Sequence, residues 1–438
     1  MRTLVLFTRD LRVHDHPALH EAVRTSREVL PLFVLDPRLV ERSPNRTRFL
    51  LEGLHDLDAS LRSRFGRLIV RHGDPAPVAL ALAREHACGR VFVTSDASGY
   101  ALSRERRMWV AARLTALELR TFPGHAVVEP GEVGPDGSDA YRLFTPYFRA
   151  WSAAPRRSVL PPPPRVTVPE EVRSEPIPRP GSVAVEAQDL PIGGERSARR
   201  HVDLFLRTDL EHYGAERDAL AVDGTSRLSP YLRFGNLSAT ELVHRVSGRP
   251  GAEAFLRQLA WRDFHLQLLA ADPSLAWRDL RAGPAVEPPP IEPGEALKLW
   301  QEAMTGIPLV DAGMRQLRRE GWMHNRARMV TASFLTRRLG VPWQQGARHF
   351  ARLLVDGDPA SNAGGWQWAA GTGTEPRRSR TFNPVRQAKR FDPAGDYIRR
   401  YVSELASVPA PAIFSPWNHR ALIGFQGYPE PVIPVRAD

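Results

Sequence analysis

Five short apolar runs alternate with amphipathic segments through the first 125 residues of the chain. The runs occupy residues 3–7, 29–35, 68–71, 91–94 and 117–122. Between them, the segment from Asn45 carries Phe49, Leu50, Leu54, Leu57 and Leu61 at helical spacing, which predicts an amphipathic helix. Strands that alternate with helices are typical of a parallel, doubly wound sheet. The pattern therefore predicts a Rossmann-like α/β domain at the N-terminus.

The turn after the first predicted strand differs from the usual dinucleotide-binding loop. It reads TRDLRVHD. The usual loop carries Gly-x-Gly-x-x-Gly, because glycines let the backbone approach a pyrophosphate closely. We therefore do not predict dinucleotide binding of that kind at this turn.

The alternation ends near residue 129, and two different patterns follow. Residues 129–198 are rich in proline, as in LPPPPRVTVPEEVRSEPIPRPG, and predict a connection in which only the aromatic segment 141–151 packs. From residue 199 onward the spacing is helical and strand patterns disappear. We predict an α/β domain at 1–128, an interdomain connection at 129–198 and an all-α domain at 199–438.

The net charge of the chain indicates which class of partner it binds. The net charge of the 438-residue chain is +11, and all but two (Lys298 and Lys389) of its 60 basic residues are arginine. Arginine in place of lysine, with much alanine and proline, is typical of a GC-rich genome. The excess of bases over acids is not explained by that bias, so a polyanion such as nucleic acid is the first candidate partner.

Cysteine count and hydropathy exclude several classes. The one cysteine, Cys88, allows no disulfide, cysteine-based zinc site or iron–sulfur cluster within one chain. No apolar run approaches the roughly 20 residues of a membrane span, and the N-terminus is not a signal peptide. We expect a cytoplasmic protein without membrane contact.

Several stretches of the predicted helical domain could carry chemistry. TSRLSPYLRFG places three hydroxyls before a helix, which suits either anion binding or simple capping. In FLRQLAWRDFH, Gln258, Trp261 and Arg262 share a face, so the indole could stack on a base or belong to the core. The arginine-rich stretches 313–338 and 374–390 are either solvated faces or a groove that follows phosphates.

The stretch DGDPASNAGGWQWAAGTG, residues 356–373, places two carboxylates near an amide and two indoles. Asp356 and Asp358 could form ion pairs, with Arg328 as a natural partner. A metal site is weakly indicated, because no further acidic cluster follows. HExxH, P-loop and Gly-x-Ser-x-Gly motifs are absent from the sequence, so the usual hydrolase and ATPase machinery is not predicted.

These stretches occur together, and in this order, in one family. The chain resembles the photolyase/cryptochrome flavoproteins, most closely the class I cyclobutane pyrimidine dimer photolyases. The resemblance rests on TRDLRVHDHPAL, TSRLSPYLRFG, AWRDFH, TGIPLVDAGMRQLRREGWMHNRARMVTASFLT and DGDPASNAGGWQWAAGTGT, and it covers nearly the whole chain. It implies an α/β domain followed by a helical domain that binds FAD in a folded form, and no metal.

The resemblance also implies which residues hold the cofactor. They are Tyr213, Thr225, Ser226, Arg227, Leu228, Ser229, Arg262, Arg328, Asp356, Asp358 and Asn362. Tyr213 and residues 225–229 would hold the diphosphate, and the two aspartates the polar edge of the flavin and the ribitol. Asn362 would face flavin N5, where a carboxamide can both donate and accept.

The implied reaction is light-driven electron transfer from reduced flavin to a cyclobutane dimer flipped out of DNA, with no general acid or base. The residues implied at the lesion are Trp261, Gln258, Asn325, Met329 and Asn362. Electrons would reach the flavin through Trp366 and Trp343. The residues implied at DNA are Arg217, Trp261, Arg326 and Arg380.

Two positions indicate the class of lesion. Photolyases that act on (6-4) photoproducts carry two histidines four residues apart, and Asn325 and Met329 stand there in this chain. Met329 cannot transfer a proton, which favours cyclobutane dimers as the substrate.

The chain departs from the family pattern at three positions. Gln258 replaces a glutamate that hydrogen-bonds the dimer, the outer tryptophan position falls near Pro290, and the position of a folate-binding glutamate falls near Ala101. Trp300 or a tyrosine could replace the outer tryptophan. The third departure favours a deazaflavin antenna, or none, over folate. A photosensory cryptochrome without repair and a (6-4) photolyase remain the alternatives, and we expect a monomer that acts on UV-damaged DNA.

Overall fold

The computed structural model describes residues 1–284, 286, 290–374, 381–419 and 427–436. Contacts within the chain define two units. The first comprises Met1–Val185, Pro191–Glu211 and Ser226–Ser274, and the second comprises Glu186–Leu190, His212–Thr225 and Leu275–Asp438.

The first unit contains a five-stranded sheet. Its strands are β1 (Arg2–Phe7), β2 (Glu28–Leu35), β3 (Ile69–His72), β4 (Cys88–Thr94) and β5 (Glu118–Phe122). Their order is β3-β2-β1-β4-β5 and every neighbouring pair is parallel. Residues 4–7 of β1 are at most 1% exposed, because helices cover both faces of such a sheet. The predicted doubly wound α/β fold is confirmed, and each of the five apolar runs overlaps one strand.

Helices make up most of the remaining regular structure. In chain order they are α1 (Pro17–Thr25), α2 (Pro37–Val40), α3 (Pro44–Arg62), α4 (Pro75–Glu85), α5 (Gly99–Ala112), α6 (Phe144–Ala153), α7 (Glu195–Thr208), α8 (Tyr213–Glu216), α9 (Ser229–Phe234), α10 (Ala239–Val246), α11 (Ala252–Ala271), α12 (Pro293–Glu302), α13 (Pro308–Glu320), α14 (Asn325–Arg337), α15 (Trp343–Leu353), α16 (Pro359–Ala370), α17 (Pro384–Phe391) and α18 (Asp396–Tyr401). Short 3₁₀ turns lie at Pro180–Ser182, Pro273–Ala276, Ser403–Leu405, Ala412–Phe414 and Pro416–Asn418.

Helix α3 shows how local sequence determines its own boundaries. The Ser43 hydroxyl accepts from the Arg46 N–H as the N-cap, and Pro44 fits the first turn because that turn needs no donor there. Phe49 and Leu54 are buried, as the spacing predicts, whereas Leu50 is half-buried. The Phe49 ring packs against Tyr231 and Phe234 of α9.

Helices that the pattern assigned to the all-α domain belong to the sheet-containing unit. Glu195, at the start of α7, accepts from the backbone N–H groups of Val13 and His14 at 2.8 and 3.2 Å. Gly235, which ends α9, has φ +66°, and a Cβ there would lie 1.9 Å from the Arg9 carbonyl oxygen. The spacing of hydrophobic residues along the sequence does not reveal such tertiary contacts. The three-part division of the chain stays a prediction.

The second unit is helical. Between residues 199 and 436 the described residues contain helices and turns but no strand, which confirms the all-α character of that part. Trp300, Phe334, Trp366, Tyr397 and Ile398 are among the buried side chains of its core. Since full burial of one such side chain contributes roughly 1.5–3 kcal/mol, this core stabilises the helices that carry the candidate site.

Candidate functional site

The residues assigned by resemblance fall in both units. Those in the first are Ser226, Arg227, Leu228, Ser229, Gln258, Trp261 and Arg262. Those in the second are Tyr213, Arg217, Thr225, Asn325, Arg326, Arg328, Met329, Trp343, Asp356, Asp358, Asn362 and Trp366. Arg380 lies outside the described residues.

Arg328 and Asp356 form a bidentate ion pair in the second unit. Arg328 Nη1 and Nη2 donate to the two carboxylate oxygens of Asp356 at 3.1 and 2.8 Å, and Arg328 Nε donates to the Met323 carbonyl at 2.7 Å. The Asp356 side chain is 3% exposed and that of Arg328 is 24% exposed. The bidentate, charge-assisted pair holds the Asp356 carboxylate in a fixed orientation. The predicted pair is confirmed, and its contact with a flavin stays a prediction.

Asp358 and Asn362 lie one turn apart at the start of α16. Asp358 is the N-cap and accepts from the Ser361 N–H at 2.9 Å, so one carboxylate oxygen fixes the helix start. Asn362 Nδ2 donates to the Ala347 carbonyl at 3.1 Å. This bond sets the amide orientation and leaves Oδ1 as the end that can accept from a ligand. Because Nδ2 carries a second N–H, Asn362 can still both donate and accept, and its contact with flavin N5 stays a prediction.

Trp366 is buried where α15 and α16 cross. A Cβ at Gly346 would lie 2.2 Å from Cη2 of the indole, so only glycine admits the ring there. Phe350 and Trp300 meet it edge to face, with centroid distances of 4.9 and 6.0 Å. The indole Nε1 is buried and bonds to nothing among the described residues.

Trp343 is the first residue of α15 and is also buried. Its Nε1 donates to Asp279 Oδ1 at 2.6 Å. A carboxylate at the indole N–H stabilises positive charge on the ring, as an electron donor requires. Asp279 was missed by sequence reasoning, because a lone aspartate before a proline-rich turn carries no signal of its partner.

The stretch at residues 225–229 was predicted either to cap a helix or to bind an anion. The N-cap position of α9 is Leu228, which makes no side-chain capping bond, so none of the three hydroxyl residues occupies the cap position itself. Arg227 has φ +47°, a left-handed conformation that turns the chain. The Thr225 hydroxyl is buried and has no hydrogen-bond partner among the described residues.

These observations fit a bound flavin dinucleotide. Buried polar atoms are normally paired, so unpaired buried groups such as the Thr225 hydroxyl and Trp366 Nε1 indicate where a polar ligand would contact the protein. Tyr213 adds a buried phenol whose pKa burial raises to about 12, so it stays neutral and able to donate. Of these groups, Thr225 and Tyr213 are the ones assigned to the diphosphate.

Helix α14 carries the residues assigned to the lesion and to DNA. Asn325 is exposed, and its Nδ2 lies 3.7 Å from the Met329 sulfur. Arg326 pairs with Asp218 at 2.9 Å and lies over the Phe391 ring, 4.2 Å from its centroid. Arg326 is thus already engaged, and DNA phosphate would compete with Asp218 for it.

Helix α11, in the first unit, carries Gln258, Trp261 and Arg262, all half-buried. Arg262 Nη1 donates to the His125 carbonyl at 2.6 Å and lies 3.3 Å from Asp263 Oδ1. Both contacts of Arg262 are thus within the protein, and its role at the cofactor stays a prediction. Trp261 stacks on Phe144 with centroids 3.8 Å apart, so the indole is partly a packed residue and partly accessible.

The carboxyl ends of the parallel strands carry a second polar cluster. Open sheets of this kind bind ligands where the strand order reverses, here between β1 and β4. At that point the Thr94 hydroxyl donates to Asp10 at 2.5 Å and Arg9 donates to Asp96 at 3.2 Å. Ala101, on α5, is buried. The antenna preference stays a prediction.

Two features of the described residues concern metal binding and membranes. No group of three or more His, Cys, Asp or Glu side chains in that part is arranged to hold a metal ion. None of its helices combines the length and apolar character needed to cross a bilayer.

Comparison with known proteins places these features in a family. Residues 3–169 match the family described as DNA photolyase, and residues 255–438 match the FAD binding domain of DNA photolyase. A deoxyribodipyrimidine photo-lyase of Streptomyces griseus is 47% identical over 98% of this chain and 96% of its own length.

Solved structures of a photolyase and a cryptochrome are also similar to this chain. A class III photolyase of Agrobacterium tumefaciens superposes with a TM-score of 0.90 at 30% identity, covering 99% of this chain and 94% of its own. A cryptochrome of Synechocystis sp. PCC6803 superposes with a TM-score of 0.91 at 26% identity, covering 99% and 97%.

Proposed function

Because the chain belongs to the DNA photolyase family, we propose that it is a light-driven flavoenzyme that splits cyclobutane pyrimidine dimers in DNA. The observation that carries this proposal is the arrangement on α14. One helix carries Arg328, the cation of the ion pair assigned to the flavin, and the Asn325–Met329 pair assigned to the lesion, which contains no acid or base for proton transfer. The Streptomyces griseus relative is named for the same activity.

FAD is the cofactor, and the residues present fit it. When bound, reduced and excited by light, it supplies the electron that splits the dimer. Arg328 and Asp356 would hold its polar edge, and Asn362 Oδ1 would accept from the ring N5–H. Thr225 and Tyr213 would bind the diphosphate.

Trp366 and Trp343 would restore electrons to the cofactor. Tryptophan is the most easily oxidised side chain that packs in an apolar core. Trp366 is enclosed by Phe350 and Trp300, and Trp343 has a carboxylate at its N–H. This environment keeps water away from the Trp366 ring and stabilises positive charge on the Trp343 ring.

Recognition of DNA would combine stacking and charge. The free face of Trp261 would stack on the dimer, which is poorly stacked in the duplex and therefore flips out at a lower free-energy cost than a normal base. Arg217, Arg326 and Arg380 would bind phosphates. A monomer in the cytoplasm, with a deazaflavin antenna or none, completes the proposal.

The second candidate is a photosensory cryptochrome. It is favoured by Gln258, which replaces the lesion-binding glutamate and cannot stabilise the dimer in the same way, and by the structural match to a cryptochrome. A (6-4) photolyase is disfavoured, because Met329 transfers no proton.

The test uses purified, chemically reduced protein and two oligonucleotides, one with a cyclobutane thymine dimer and one with a (6-4) photoproduct. Under blue light we expect only the cyclobutane dimer to be converted to thymines. Repair of the (6-4) lesion alone would indicate the other photolyase class. Light-dependent flavin reduction without repair of either lesion would indicate a photoreceptor.

A further inference from the structure

Phe144 and Trp261 form an unusual ring pair within the first unit. Their centroids are 3.8 Å apart and their planes differ by 5°, so the two rings overlap almost completely. Aromatic pairs by themselves prefer offset or edge-to-face arrangements with centroids about 4.5–7 Å apart. The surrounding side chains must therefore hold this stack in place.

Phe264 provides one part of that frame. It is fully buried on α11 and meets both rings with its edge, Trp261 at 5.4 Å and 87° and Phe144 at 5.7 Å and 82°. A single buried ring thus lies nearly perpendicular to both stacked rings and restricts the rotation of each.

Arg257 and Phe148 provide the other part. The Arg257 guanidinium lies 5.1 Å from the Phe144 centroid and 4.8 Å from that of Phe148. Phe148 continues the stack from Phe144 at 5.7 Å and 19°. Cation–π contacts of this kind stabilise the orientation of Phe144, which begins α6 and is 7% exposed.

The consequence for Trp261 is that its two faces are not equivalent. Phe144 stacks directly on one face, so a pyrimidine has room to stack only on the opposite face. The indole remains half-buried, which leaves part of it accessible. Its plane is set before any ligand arrives, and pre-set geometry reduces the entropy lost on binding.

We propose that Phe144 is a positioning residue for lesion recognition: by stacking on one face of Trp261, it fixes the indole plane that receives the flipped dimer on the other face. This inference rests on the proposed function, in which Trp261 contacts the dimer. Phe144 itself does not touch the substrate.

The first experiment compares variants in the full-length flavoprotein. Phe144→Leu is expected to weaken binding of a dimer-containing oligonucleotide about threefold to tenfold, the range of one aromatic pair. The repair rate at saturating DNA, flavin photoreduction and binding of undamaged DNA are expected to stay unchanged. Phe144→Tyr keeps the ring and is expected to bind normally.

Phe148→Leu is the matched control, because it removes a ring of the same helix and the same stack that does not contact Trp261. Because Arg257 still lies over Phe144 in this variant and Phe148 does not touch the indole, its dimer affinity is expected to fall by no more than about twofold. If Phe144→Leu does not fold, Phe144→Met replaces it, because the flexible thioether fills the same space without a flat ring. Equal losses in the Phe144 and Phe148 variants would overturn the proposal.

A double-mutant cycle separates this proposal from the proposed function. In a Trp261→Ala background, Phe144→Leu is expected to have no further effect on dimer binding, because its role is exerted through the indole. An undiminished additional loss would overturn the positioning role alone. If Trp261→Ala itself leaves dimer binding unchanged, the assignment of Trp261 fails, and the role of Phe144 fails with it.

Discussion

Trp366 is the residue whose surroundings support its assigned role most specifically. It is buried against Gly346 and Phe350, and its N–H is not used by the described part of the protein. Phenylalanine fills most of the same space but is far harder to oxidise. We predict that Trp366→Phe slows photoreduction of the oxidised flavoprotein strongly while repair by chemically reduced enzyme is retained. Flash or steady-state absorption of the flavin measures the first property, and loss of both activities would contradict the assignment.

Asp356 carries a prediction about stability. Asp356→Asn removes the charge that faces Arg328 and leaves the half-buried guanidinium with one weaker acceptor. We expect the free energy of unfolding to fall by about 2 kcal/mol and FAD to bind less tightly. Urea denaturation and a flavin titration measure these effects.

The control for Asp356 is Asp396→Asn. Asp396 pairs with Arg399 on the exposed surface of α18 and should contribute at most about 1 kcal/mol. An equal loss of stability in the two variants would show that the buried Asp356 pair contributes no more to stability than an exposed ion pair does.

At the residue scale, sequence reasoning located charges and rings better than it located their partners. Arg328 and Asp356 were paired correctly, because an isolated buried carboxylate needs a cation. The Asp218 partner of Arg326, the Asp279 partner of Trp343 and the Phe144 partner of Trp261 were not found. Each joins positions more than 60 residues apart, and neither periodicity nor charge count reports such contacts.

Packing of α15 on α16 is the feature of the helical unit that depends most on one small residue. Gly346 faces the Trp366 ring so closely that an added methyl group would meet it at 2.2 Å. We predict that Gly346→Ala lowers the free energy of unfolding by about 1–3 kcal/mol through overpacking and also changes flavin photoreduction. Denaturant unfolding and flavin absorption measure the two effects.

Gly365→Ala is the matched control on α16. A Cβ there meets no atom within 4 Å, and alanine is the better helix former by about 1 kcal/mol. Its stability is expected to stay equal or to rise. A loss of stability in this variant as large as that of Gly346→Ala would show that the cost at Gly346 does not come from contact with the indole.

At the element scale, the sequence predicted the type of each segment well. All five strands and the long amphipathic helix α3 follow from hydrophobic spacing and capping residues. Attachment of α7 and α9 to the sheet-containing unit was not predicted, because it depends on Glu195 and Gly235 meeting backbone groups of the loop after β1. Such contacts satisfy backbone donors and leave no mark on local composition.

The whole molecule carries a net charge of +11, which bears on how it binds DNA. With three arginines assigned to phosphates, the logarithm of the binding constant should fall with the logarithm of salt concentration with a slope of about −2 to −3. The smaller value applies if Arg326 keeps its pair with Asp218. A salt titration with dimer-containing duplex measures the slope. A binding constant that does not change with salt concentration would contradict phosphate binding by these arginines.

One measurement tests the proposed repair activity most directly. Chemically reduced protein is mixed with an oligonucleotide that carries a single thymine dimer, and recovery of thymine absorbance is followed under blue light and in the dark. We predict recovery in the light only, with many dimers repaired per protein molecule and no net change in flavin oxidation state. Bound dimer that persists unchanged under illumination of fully reduced protein would contradict the claim that this chain is a repair enzyme.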